Sequence, residues 1–163
     1  MNLVSLRRLF AFDSLLWVAP LIIATTLAAS MAFTSAFNAH PDEIDHARAA
    51  DYYRTNWLPP KFGDPAAVPS YSKYGYSYLH ERDFVYLLAG KWSAIVAPLV
   101  GDINLAYRLF NLTLLAAIAF TFVRKPEARP LIVPLALSAQ IWYVFYYFNG
   151  DAFALAVALF TAF

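Results

Sequence analysis

Residues 15–37 form a run of 23 positions without a charged side chain. At 1.5 Å per residue a helix of that length reaches about 34 Å, enough for a bilayer hydrocarbon core of roughly 30 Å. The run therefore predicts a transmembrane helix. Arg7 and Arg8 precede it, as they would a secretory signal, and Ala28-Ala29-Ser30-Met31-Ala32 offers small residues near a cleavage point. A signal core is typically about 7 to 15 residues, however, and this run continues through Phe33 and Phe37. The signal-anchor reading covers the same residues without a processing step.

The remaining composition agrees. Hydrophobic residues make up 61% of the 163 positions and aromatics 18%, more than a soluble core of this size can hide. The chain reads as an all-α integral membrane protein. A net charge of +1 provides no field for recruiting nucleic acid, so the basic residues matter by position. Cysteine is absent, which excludes disulfides, thiolate metal sites and cysteine nucleophiles. Chemistry is left to carboxylates, histidines, arginines and aromatics.

Further apolar segments cover 84–100, 105–123, 131–148 and 152–163. Residues 105–123 and 131–148 are credible spans. Residues 84–100 carry Gly90 and Lys91 at their centre and Pro98 near their end, and a lysine at a bilayer midpoint is costly. Charge in the short loops settles the arrangement. Arg7 and Arg8 place residues 1–14 in the cytoplasm, and the 124–130 loop, with Arg124, Lys125 and Arg129, is cytoplasmic only if 84–100 lies along the membrane surface. The expected architecture is a multi-spanning helical bundle in the inner (cytoplasmic) membrane, with spans at 15–37, 105–123 and 131–148. The external loop, 38–104, would contain a helix at 41–57 and a surface helix at 84–100. Residues 149–163 would form an external turn and the start of a fourth span. The last apolar segment is too short to cross, so the chain is expected to be a fragment of a larger protein.

Directly after the first span comes His40-Pro41-Asp42-Glu43-Ile44-Asp45-His46. Pro41 suits a first helical position, and the acids favour the positive end of a helix running to about Trp57, which Leu58-Pro59-Pro60 would stop. Asp42 and His46, four apart, share a helix face, so the imidazole could tune the carboxylate. Two readings stand open: acids that merely favour a helix N-terminus, or paired carboxylates doing chemistry at the membrane surface. A divalent cation held by Asp42 and Glu43, with His46, is a further option, although three candidates on one turn make no recognised ligand motif.

By this topology Asn149-Gly150-Asp151 emerges on the same side as Asp42, so two acidic turns distant in sequence converge; the alternative is that Asp151 caps the last helix. Arg108 falls at the outer start of its span. It either snorkels or pairs with phosphate, and Lys91 could share the second role. The tyrosines of 71–78 would stack on sugar rings or form an interfacial belt.

In combination these patches resemble the start of a GT-C-fold glycosyltransferase, the superfamily that includes protein O-mannosyltransferases and aminoarabinose transferases, and related uncharacterised bacterial membrane proteins with a Pro-Asp-Glu motif. The resemblance rests on Pro41-Asp42-Glu43 with His46, Ala47 and Tyr53, then on Phe84-Val85-Tyr86-Leu87-Leu88, Arg108-Leu109-Phe110-Asn111 and the turn Tyr147-Phe148-Asn149-Gly150-Asp151. Relatives often have His-Pro-Pro-Leu where this chain reads His80-Glu81-Arg82-Asp83-Phe84. The resemblance implies transfer of a sugar from a polyprenyl-phosphate donor to an extracytoplasmic glycan, lipid or protein acceptor, with inversion. Asp42 would be the base, with Glu43 as neighbour or understudy. Arg108 and Lys91 would hold the donor phosphate, and Asp151 and His46 would support the acceptor site. Some relatives use a divalent cation and others none. Two other readings belong to different classes: a small non-catalytic membrane subunit or scaffold, and a lipid-linked polysaccharide ligase or transporter.

Overall fold

The computed structural model describes residues 3–162, with side chains from residue 17 onward. Arg7 and Arg8, on which the orientation of the N-terminus rests, therefore have their side chains outside the described set. Every regular element among the described residues is helical. The α-helices are α1 (Leu3–Thr34), α2 (Glu43–Thr55), α3 (Phe84–Val100), α4 (Ile103–Arg124), α5 (Ile132–Leu137), α6 (Ala139–Tyr146) and α7 (Asp151–Thr161). Short 3-10 turns at Pro65–Ser70, Tyr78–Glu81 and Pro126–Leu131 complete the set.

Two helices, α1 over Trp17–Thr34 and α4, are long and apolar enough to cross a membrane. They pack side by side and antiparallel. Near the start of α4, Arg108 donates to carbonyls at the end of α1, whereas near its finish Phe122 and Val123 meet Trp17 and Leu21. The seam is built on small residues: Ala24, Ala28 and Ala32 recur every four positions on one face of α1 and are buried with Leu115, Ile118 and Phe122 of α4. Small side chains let helix backbones approach closely, the usual basis of helix association where no water drives it. The outward faces stay apolar, with Ile22, Ile23, Phe33 and Phe120 exposed.

The expected helix over 131–148 is broken. Its α5 half, together with the Pro126–Leu131 turn, is bent by 86° from α6. Pro130 and Pro134 stand four apart, so the Pro134 ring occupies the place where the carbonyl of residue 130 would receive a helical N–H. Ser138 then takes an extended conformation at the corner, where its hydroxyl accepts from the Ile141 amide. Despite the bend, the segment traverses the α1/α4 pair. Ile132 packs beside Trp17 and Phe122 at one end, and Tyr143, Tyr146 and Tyr147 surround His40 at the other.

Residues 35–102 leave the end of α1 and return to the start of α4, which is the same end of the pair. They form a second apolar cluster, in which Ala47, Ala50 and Tyr53 of α2 and Val85, Tyr86 and Ala89 of α3 pack over Tyr107 and Phe110 of α4. Gly90 sets the α2–α3 approach, since a Cβ there would fall 2.5 Å from the Ala50 carbonyl oxygen. Helix α2 is shorter than the sequence suggests, starting at Glu43 rather than Pro41, because Asp42 adopts the left-handed conformation at φ 59°. It ends at Thr55, where the Asn56 side chain donates back to the Tyr52 carbonyl.

Candidate functional site

The site is assembled where the end of α1, the start of α2 and the α6–α7 turn meet. Glu43, the first residue of α2, points inward and is fully buried. Its carboxylate accepts from Arg108 through Nε at 2.7 Å and Nη2 at 2.9 Å, and also from the amides of Asn38 at 2.8 Å and Phe148 at 3.4 Å. The guanidinium makes three more bonds, from Nη1 to the Ala32 and Ser35 carbonyls and from Nη2 to that of Ala36. An arginine has five N–H donors, and all of them are accounted for. This knot joins α1, α2, α4 and the α6–α7 turn through a single buried ion pair.

In this geometry every donor of Arg108 is already engaged, and the Glu43 carboxylate is buried with all its contacts inside the protein. Asp42 and Glu43 also face different surroundings, one exposed and one sealed, so they do not form a shared metal site; among the described residues no group of three or more His, Asp or Glu could hold a metal ion. Lys91 is placed elsewhere as well. Its ammonium donates to the Arg54 carbonyl at the far end of α2 and sits 4.1 Å from the centre of the Trp57 ring. Asp42 and Arg54 are separated by the length of α2, roughly 18 Å at 1.5 Å per residue.

Asp42 and Asp151, by contrast, line one cavity of about 450 Å³, with His46, Glu81, Asp83 and Tyr78. Neither aspartate caps its helix. The Asn38 side-chain oxygen accepts from the Ile44 amide at the start of α2, and the Asn149 oxygen accepts from the Ala152 amide at the start of α7. In both turns an asparagine does the capping, and the two exposed aspartate carboxylates accept no hydrogen bond among the described residues. The α6–α7 turn is stiffened further by Asn111 of α4 and by Asn149, whose amides donate to the Tyr147 carbonyl at 2.8 and 3.2 Å.

His46 lies between the cavity and the α3 core. Its Nδ1 is 2.7 Å from the Tyr86 hydroxyl, and its ring stacks on Tyr78 with centroids 4.2 Å apart. Burial pushes its pKa down, opposed by the carboxylates of Asp151, Asp42, Asp45 and Glu43. Burial likewise raises the Tyr86 phenol, which stays protonated and able to hold the imidazole in place. Asp83 is pushed up by burial and by neighbouring Glu81.

On the other side of Asp42 a second cleft opens, lined by His40, Asp45, Arg48 and Lys73. Sequence reasoning did not single out Glu81, Asp83, Arg48 or Lys73. The irregular 61–83 stretch gives no periodicity from which to place them, and Arg48 reads as one more charge on an exposed helix face. The exceptional isolation of Arg108 in an apolar helix was the available signal for its buried partner, since such charges pair inside the protein.

The geometry defines an all-helical protein with two apolar helices of membrane-spanning length, or three if the bent pair counts as one span, and a carboxylate-lined cavity at one end. Comparisons with protein-family models, curated proteins and solved structures found nothing that matches this chain.

Proposed function

We propose that the protein is a membrane-embedded glycosyltransferase that moves a sugar from a polyprenyl-phosphate donor to an extracytoplasmic acceptor hydroxyl, with Asp42 as the base. In the membrane, α1, α4 and the bent α5–α6 segment cross, the 35–102 region caps the outer end, and α3 lies along the surface. The antiparallel α1/α4 pair supports this arrangement, because residues 35–102 leave α1 and rejoin α4 at the same end of it.

The observation that carries the reading is the meeting of Asp42 and Asp151 in one cavity, both relieved of capping by asparagines. A sugar on a phosphate carrier has an activated leaving group, so no acid is needed to protonate it, unlike in a glycosidase. One base suffices. The acceptor oxygen attacks the anomeric carbon, its proton passes to the Asp42 carboxylate, and the carbon–oxygen bond to phosphate breaks with the electron pair leaving on the phosphate. Attack from the face opposite the leaving group inverts the anomeric configuration. Asp151 orients the acceptor from the facing turn, and His46 with Tyr78 forms the polar and aromatic wall against which a sugar ring packs.

The test is Asp42→Asn in the complete protein, assayed with a polyprenyl-phosphate sugar. Turnover should fall by about 10²- to 10⁴-fold, the usual contribution of a general base, while donor binding is retained. Wild-type turnover in that variant would remove Asp42 as the base.

A further inference from the structure

Resting on the transferase reading, we propose that the cleft on the Arg48 and Lys73 side of Asp42 binds the donor's phosphate, so that Asp42 separates a phosphate subsite from the acceptor cavity. A departing phosphate needs positive charge nearby. The cations expected to provide it are unsuited: Arg108 has every donor engaged by Glu43 and three carbonyls, and Lys91 is at the other end of α2. The cavity that Asp42 shares with Asp151 is also unsuited. It is lined by Asp42, Glu81, Asp83 and Asp151 and by no lysine or arginine, so an anion there would meet only like charge.

The neighbouring cleft, about 540 Å³, shares Pro41 and Asp42 with that cavity and brings in Asp45, Arg48 and Lys73, so that two cations balance two carboxylates where the first cavity has carboxylates alone. Both cations are available. The Arg48 side chain keeps 43% of its surface exposed and makes one 3.4 Å contact, to Asp45, leaving its other N–H groups open. Lys73 rests with its ammonium 4.9 Å from the centre of the Tyr74 ring, a contact that uses none of its hydrogen-bond donors. His40 also lines the cleft, but its Nε2 is buried and its ring packs among Tyr143, Tyr146 and Tyr147, so it is not counted among the phosphate's partners. A guanidinium and an ammonium lining one open cleft suit a phosphate ester, the first bidentate and the second as a point charge. Arg48 and Lys73 are binding residues in this assignment and take no part in proton transfer.

The experiment is titration of the complete protein, in nanodiscs of zwitterionic lipid, with a polyprenyl monophosphate, with the phosphate-free polyprenol and with inorganic phosphate. Removing two charged donors through Arg48→Gln with Lys73→Gln should weaken polyprenyl phosphate binding by at least about tenfold. Polyprenol binding should be unaltered, and Lys61→Gln, which changes an exposed lysine outside the cleft, should match wild type. Because both side chains are solvent-accessible, the thermal midpoint of the double variant should match wild type as well. Equal polyprenyl phosphate affinity in wild type and double variant would overturn the subsite and leave the transferase reading standing. A wild type that binds no polyprenyl phosphate would overturn both. Loss of inorganic phosphate binding in the double variant, with polyprenyl phosphate unaffected, would make the cleft a site for free anions and overturn its assignment to the donor.

Discussion

Asp42 and Glu43 are adjacent in sequence and opposite in circumstance. Glu43 is sealed in a knot of hydrogen bonds with Arg108, whereas Asp42 stands exposed at the meeting of two clefts. The difference arises in one backbone dihedral. At φ 59° Asp42 leaves the helical path, so its side chain and that of Glu43 depart in different directions. A non-glycine residue in the left-handed region is strained, although aspartate and asparagine tolerate it best. The pair teaches that acidity alone does not mark a site: the buried carboxylate, with a full set of partners, holds helices together, and the exposed one has no such partners among the described residues.

The most forceful way to break the comparison is Glu43→Ala. It leaves the buried Arg108 guanidinium without its counter-charge, and breaking a buried ion pair from one side costs about 3–5 kcal/mol. Thermal unfolding in detergent should show that loss, and Arg108→Met added to the same chain should recover part of it by removing the stranded charge. A change smaller than about 1 kcal/mol would mean that the pair is exchanging with water, as surface ion pairs do. Next in size is Gly90→Ala. The added Cβ would meet the Ala50 carbonyl oxygen at 2.5 Å and Tyr53 Cβ at 2.8 Å, with backbone rather than a flexible side chain in the way. Overpacking of this kind costs about 1–3 kcal/mol, and it should weaken the α2 and α3 cap while sparing the α1/α4 seam. Hydrogen exchange resolved by segment would distinguish the two.

Much of this division could be read from the residues, and the unread part has identifiable causes. Apolar length marked 15–37 and 105–123, because helix rise and bilayer thickness are fixed quantities. The corner at Ser138 escapes because hydropathy carries no dihedral information and no proline or glycine stands at residues 135–141 to mark it. Asp42 and Asp151 were legible as acids after apolar runs. Their freedom was not, because Asn38 and Asn149 displace them as caps through contacts that depend on the turn's conformation. The partner of Arg108 is illegible for a related reason. It lies 65 positions away, and nothing local distinguishes an arginine open to a phosphate from one already paired.

A smaller effect follows from pH. His46 has its pKa lowered in the folded protein, chiefly by burial, from an ordinary value of 6.5. Below that value the unfolded chain takes up a proton that the folded chain resists, so stability falls as pH drops through 6.5 towards the lower folded value and is unaffected by this group above it. The slope for one proton is at most about 1.4 kcal/mol per pH unit. His40 is lowered as well, with the same sign. Unfolding midpoints between pH 7.5 and 5.5 should therefore slope less steeply in His46→Gln than in wild type, without becoming flat. An unchanged slope would place the coupling at other groups.

The smallest effect is the sharpest for the comparison. Asp42→Asn should leave stability within about 0.5 kcal/mol of wild type, in contrast to Glu43→Ala. Asparagine keeps the size of the side chain and suits the left-handed conformation as well as aspartate does. The carboxylate it replaces accepts no hydrogen bond among the described residues, so no partner is stranded. A folded protein of unaltered stability that no longer transfers sugar would separate the chemical role of position 42 from the structural role of position 43. If Asp42→Asn instead unfolded the protein as Glu43→Ala is expected to, the carboxylate would be part of the knot, and the contrast between the two neighbours would collapse.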